Sequence, residues 1–196
     1  MIVVDCREAI KKLNDTFGYV KENDRKLAVA RAINHTMAKA KTQISREIRD
    51  KYALDAKTVS QALNQIKADR LTMTGKIVIR GKPISLYKFK ARQTSKGVTV
   101  EVMRGKRRLI PGVFLAQLKS GHTGVMFRGK YGQGKLVRRR TRIKPNGPDL
   151  PITEIVGISL PKAATNEIIL RNITKGINEM FPQRFEHELK RVVMPI

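Results

Sequence analysis

Gly129-Lys130-Tyr131-Gly132-Gln133-Gly134-Lys135 follows the first seven positions of a phosphate-binding G-x-x-x-x-G-K loop. In such a loop backbone N–H groups cradle phosphates and the lysine reaches them. The next residue is Leu136 instead of the Ser or Thr that would ligate magnesium, and a charge run from Arg138 to Arg142 follows where a helix should start, so no nucleotide site is expected. His122 could serve as a general base, but that role needs a nucleophile and an orienting carboxylate beside it. Ser120 and Asp149 could be such partners only if the fold brings them there, and a turn histidine bonded to backbone is the simpler expectation. Cys6 is the single cysteine and therefore forms no internal disulfide or cysteine cluster, while His35, His122 and His187 are too scattered for metal-ligand spacing. No catalytic residue, metal or cofactor is expected.

The chemistry that does stand out is charge. The 196 residues hold 41 Lys and Arg against 16 Asp and Glu, a formal net charge of +25. Residues 1–74 carry a net +6, residues 75–150 carry +18 with only Glu101 and Asp149 acidic, and residues 151–196 carry +1. Cations so poorly neutralised by sequence neighbours must face water, another segment or a polyanion. Arg128, Lys130, Lys135, Arg138, Arg139, Arg140, Arg142 and Lys144 are the candidate nucleic-acid contacts, through phosphates and without sequence readout. Tyr87 and Phe89 alternate, which predicts one strand face turned to the core and not a base-stacking pair.

The elements that must position these groups follow from periodicity. Leu27, Ala30, Ile33, Met37, Ala40, Ile44 and Ile48 fall three or four apart, predicting an amphipathic helix over 23–51 that is about 43 Å long. Asp55 offers an N-cap for a second helix with Val59, Ala62, Leu63 and Ile66 on its apolar side, ending before Thr72. The first helix is too long for a DNA-reading helix-turn-helix. Period-two segments at 76–80, 84–89 and 98–103, bounded by Gly81-Lys82-Pro83, Ser95-Lys96-Gly97 and Arg104-Gly105-Lys106, predict neighbouring antiparallel strands of a meander. The Gly-, Lys- and Arg-rich stretch 119–149 reads as a long mobile loop. A C-terminal helix carries Ile168, Ile169, Ile173, Ile177, Met180 and Phe181, with Pro182 expected to break it, kink it or begin another before Phe185, Leu189 and Val192. The expected class is α+β: a β-meander packed against a long N-terminal helix and a C-terminal helix, with a basic Gly-rich loop. The divisions are a helical arm at 1–74, a basic β core at 75–160 and a C-terminal helix at 161–196, forming one folding unit.

The stretch Gly112-Val113-Phe114-Leu115-Ala116-Gln117-Leu118-Lys119-Ser120-Gly121-His122-Thr123-Gly124-Val125-Met126-Phe127-Arg128 resembles the central signature of the phage minor tail protein Z family. Leu150-Pro151-Ile152-Thr153-Glu154-Ile155-Val156-Gly157-Ile158-Ser159-Leu160-Pro161 is similar to that family's following segment, with Ile158 where the family has proline. The positions carrying the likeness are Gly121, His122, Gly124, Val125, Phe127, Arg128, Pro151, Ile152, Gly157 and Pro161. The resemblance implies a structural protein of a long non-contractile phage tail, acting in tail completion near the head-proximal end, where genome DNA enters. It also implies a closed, sixfold homo-oligomeric ring, neighbouring tail and neck proteins as partners, and location in the virion tail after assembly in the host cytoplasm.

No run approaches the roughly 18 apolar residues of a membrane span, so no membrane partner is expected. Charge alone also admits a free nucleic-acid-binding protein of ribosomal or nucleoid type, or an assembly factor that does not remain in the particle.

Overall fold

The computed structural model describes the backbone of residues 2–3, 20–132, 135–138 and 152–193. The fold is α+β, with a long N-terminal helix, antiparallel sheets in the middle and a C-terminal helix. It divides into two compact units: one from residues 1–48, 57–80 and 160–196, the other from 49–56 and 81–159.

The first unit is built on α1, Glu22–Lys51. Glu22 and Asp24 in its first turn and Arg49 and Lys51 in its last complement the helix dipole. Ala30, Ile33, Met37, Ala40, Ile44 and Ile48 of the predicted stripe are buried, Leu27 is half-buried, and Val29 is buried beside them. Against it runs α4, Glu167–Val193. Gln43 Nε2 donates to the Asn172 carbonyl at 3.0 Å, Asn172 Nδ2 donates to Glu47 at 3.1 Å, and His35 lies beside Arg184 and Glu188. Rising numbers on α1 meet falling numbers on α4, so the two helices are antiparallel. Of the break, kink or new helix expected at Pro182, the break and the new start do not occur, since one helix runs through it, and Phe181 and Phe185 stack across that turn with centroids 6.0 Å apart.

A three-stranded antiparallel sheet completes this unit, with β1 (Ile2–Val3) and β2 (Leu63–Ile66) on either side of β3 (Lys76–Ile79). The expected second helix is thereby corrected. Helix α2 covers only Ala56–Ala62, and the chain turns into strand at Leu63. Leu63, Asn64, Gln65 and Ile66 pair with Ile79, Val78, Ile77 and Lys76, so a cross-strand partner supplies the backbone hydrogen bonds that a further turn of helix would have made. Asn34 on α1 fixes the return from β2 to β3, donating to the Ala68 carbonyl at 2.8 Å and accepting from its N–H at 2.7 Å.

The second unit is β-rich. Strands β4 (Pro83–Ser85), β5 (Arg92–Thr94), β6 (Gly97–Met103), β7 (Lys106–Pro111), β8 (Val113–Gln117), β9 (Thr123–Gly132), β10 (Lys135–Arg138), β11 (Ile152–Glu154) and β12 (Val156–Ser159) enclose Ile84, Leu86, Phe89, Val98, Val100, Val113, Val125 and Phe127. The turns at Ser95-Lys96 and Arg104-Gly105 join β5, β6 and β7 as hairpins, Gly105 taking φ +77°. The expected neighbourhood of 76–80, 84–89 and 98–103 is not found, because those segments enter three different sheets: β3 pairs with β1 and β2, β4 with β12, and β6 with β5 and β7. Nor do Tyr87 and Phe89 share a strand face. A 3-10 turn at Leu86–Lys88 leaves Tyr87 exposed and Phe89 fully buried. Helix α3, Leu160–Ala164, carries the chain back to the first unit with Pro161 in its first turn, where a missing N–H costs no hydrogen bond.

Candidate functional site

The stretches 112–128 and 150–161 meet on β9. Its first half pairs with β8, Val113 opposite Phe127 through Gln117 opposite Thr123, and with β11, Ile152, Thr153 and Glu154 opposite Arg128, Phe127 and Met126. Val125 and Phe127 point into the core, which explains why apolar residues stand there. The Ile155 N–H donates to the Val125 carbonyl at 2.9 Å, and Thr153 Oγ1 donates to the Gly129 carbonyl at 2.7 Å.

At the β8–β9 turn the Leu118 N–H donates to the His122 carbonyl at 2.8 Å, and Gly121 adopts φ +81°, a conformation that glycine accepts without strain. That turn aims His122 Nε2 at Glu154 Oε1, 3.0 Å away. The expected backbone partner of the His122 ring is therefore replaced by a carboxylate. Gly124 lies beneath this pair: a Cβ there would stand 2.7 Å from Glu154 Oε1 and 2.9 Å from Met126 Cε. Gly157 likewise yields its space to the Phe89 ring, 2.8 Å from where a Cβ would be. Glu154 is the residue of this cluster that its type and position alone did not single out, since its role depends on strand pairing across 32 residues.

Arg128, at the end of the 112–128 stretch, is exposed and sits over the Phe114 ring at 5.1 Å, and no carboxylate among the described residues forms a salt bridge with it. The expected mobile loop at 119–149 is corrected over much of its length. β9 and β10 form an antiparallel hairpin with Lys130 opposite Val137 and Arg138 opposite Gly129. Lys130, Lys135 and Arg138 thus stand on paired strands. Glycine at 129 and 132 reads as a loop by composition, yet backbone pairing tolerates it within a strand. The same hairpin removes the phosphate-loop reading, because Lys135 begins a strand where that loop requires a helix N-terminus. Arg139, Arg140, Arg142, Lys144 and Pro151 lie outside the described residues, as does Cys6.

The positive charge extends beyond those candidates. Residues 81–159 hold 18 Lys and Arg against three acids, Glu101, Asp149 and Glu154. Lys82, Arg92, Lys96, Arg104, Lys106, Arg107, Arg108 and Lys119 are all exposed on the second unit. Glu101 faces Lys90 at 3.7 Å and Arg107 at 3.4 Å, and the Gly105 N–H bonded to it, more than these cations, holds its pKa below the ordinary carboxylate value. Among the described residues no group of three or more His, Cys, Asp or Glu is placed to hold a metal ion, and no helix is long and apolar enough to cross a membrane.

Comparison of the chain with protein-family models, with curated proteins and with solved structures finds no match.

Proposed function

We propose that this protein is a non-enzymatic structural component of a long non-contractile phage tail, acting in tail completion at the head-proximal end. In this reading it joins a homo-oligomeric ring, sixfold by family resemblance, beside other tail and neck proteins, and meets genome DNA through phosphates alone. The observation that carries the reading is the meeting of the two motif stretches on β9, with His122 and Glu154 closing over Gly124. Residues that are distant in sequence and share a family likeness are thereby given a common structural reason for their types. The basic second unit supports the DNA contact, since a conduit wall needs attraction that is indifferent to sequence and weak enough per site for the duplex to slide.

Gold labelling of the protein in purified tails, viewed by electron microscopy, tests the location. Label at the head-proximal end is expected. Absence of label together with absence of the protein from particles by mass spectrometry would overturn the reading. That second outcome would leave a free sequence-nonspecific nucleic-acid binder, which the density of cations favours, or an assembly factor that does not remain in the particle.

A further inference from the structure

The β5–β6–β7 sheet sorts its charges by face. Val98 is opposite Ile110 and Val100 opposite Arg108, alternating with Thr99 opposite Leu109 and Glu101 opposite Arg107. Cross-strand partners share a face and successive residues exchange faces, so Arg108 stands on the side of buried Val98 and Val100, while Glu101 and Arg107 stand on the other. Glu101, the sole acid between residues 81 and 148, is thus turned away from Arg108 and engaged with Lys90 and Arg107.

On the Val100 side a cavity of about 320 Å³ is lined by Leu86, Val100, Val102, Met103 and Ile110. Lys106 and Arg108 complete its wall; both are exposed, and no described carboxylate forms a salt bridge with either. The volume is at the small end of ligand pockets, roughly 300–1,000 Å³, and suits one or two large apolar side chains. β7 is also an edge strand, paired with β6 and with no other described strand, so its outer N–H and C=O groups face outward beside the cavity.

We propose that this cavity is a docking site for an acidic segment of a partner protein that inserts a bulky apolar side chain between Lys106 and Arg108. Charge complementarity selects that occupant. A nucleic-acid backbone would satisfy the two cations and leave the apolar floor in water, whereas a neutral apolar segment would leave two cations at the rim uncompensated. The acidic segment meets both demands, and extended backbone alongside β7 adds main-chain hydrogen bonds. The inference is independent of the tail assignment, since the cavity serves a free nucleic-acid binder as well as a tail protein.

The test uses the full chain, methyl-labelled at Ile, Leu, Val and Met, and a fluorescein-tagged octapeptide Asp-Glu-Leu-Phe-Glu-Leu-Asp-Glu. Saturable anisotropy is expected, with shifts at the methyls of Val100, Val102, Met103 and Ile110. Lys106→Glu with Arg108→Glu should weaken binding about tenfold or more, and the control pair Lys82→Glu with Lys119→Glu less than about threefold. Replacing the three apolar peptide residues by glycine, or Met103 by alanine in the protein, should also weaken it. All substituted protein positions are exposed, and unchanged circular dichroism of each variant is the expected control on its fold. Absence of saturable binding, equal binding of the glycine peptide, equal loss in the control pair, or the same methyl shifts with a random-sequence 20-base-pair DNA would each overturn the proposal. So would a concentration-dependent dimer in sedimentation that the Lys106→Glu, Arg108→Glu pair abolishes, which would assign the cavity to a second copy.

Discussion

Gly124 lacks a side chain because the Glu154 carboxylate occupies the space where one would begin. The atoms a Cβ would meet are the movable ends of Glu154 and Met126, so Gly124→Ala should lower stability by about 1 kcal/mol or less in urea unfolding, and His122→Ala, which removes a half-exposed pair, should also cost under about 1 kcal/mol. In a Glu154→Ala background much of the Gly124→Ala cost should disappear, and a double-mutant cycle measures that coupling. Gly121, His122 and Gly124 stand together in the sequence only through the resemblance, since type and spacing read them as a loop with a backbone-bonded histidine; the carboxylate that joins them is not marked at all, because strand register is a non-local property. A second titratable residue, His35, lies between the long helices. Burial, with Arg184 and Lys39 adding to it, holds its pKa below the ordinary 6.5, and His187 acts the same way while Glu188 opposes them. The native state then binds this proton less readily than the unfolded chain, so the stabilisation is complete above about pH 6.5 and is lost as pH falls through that value toward the lowered native pKa. Thermal unfolding followed from about pH 7 to pH 5 should show a shallower acid-side decline in His35→Gln than in the parent.

The long helix was legible because its apolar stripe persists over 30 residues with helix-favouring alanines inside it. Helix α2 was overextended for a physical reason: Val59, Leu63 and Ile66 fit a helical face, and the pairing that instead makes 63–66 a strand, with Leu63 buried and Ile66 exposed, depends on β3, which enters about ten residues later. The same ambiguity hid β9 and β10, where glycine and arginine suggested a loop while pairing imposed strand. Where periodicity and packing agree, the energetic consequence is direct. Phe185 on α4 is almost fully buried, and Phe185→Ala should cost about 3–5 kcal/mol in urea unfolding, while Ile168→Ala, at 65% exposure on the same helix, should change stability by less than about 0.5 kcal/mol.

At the scale of the whole chain, charge and chain order matter most. Binding to duplex DNA should weaken linearly in log salt, and replacing Arg138, Arg139, Arg140 and Arg142 by glutamine should make that slope shallower by roughly three to four. If the tail reading holds, particles carrying these four changes should be joined normally and infect poorly; normal infectivity with normal DNA placement would count against the DNA contact. The first unit is assembled from three separated lengths of chain, the last beginning at Leu160, whereas residues 81–159 of the second run without interruption. A ribosome working at about 5–20 residues per second therefore takes roughly 4–16 seconds to pass from the second of those lengths to the third. Throughout that interval Ile44 and Ile48 have emerged without α4, and the β-rich unit itself can close only at its end, once β11 and β12 have been made. Newborn copies of this protein are thus held half-finished by their own reading order, and a chaperone that shields apolar helices should be found on chains arrested just before Leu160 and absent from chains released after Val193.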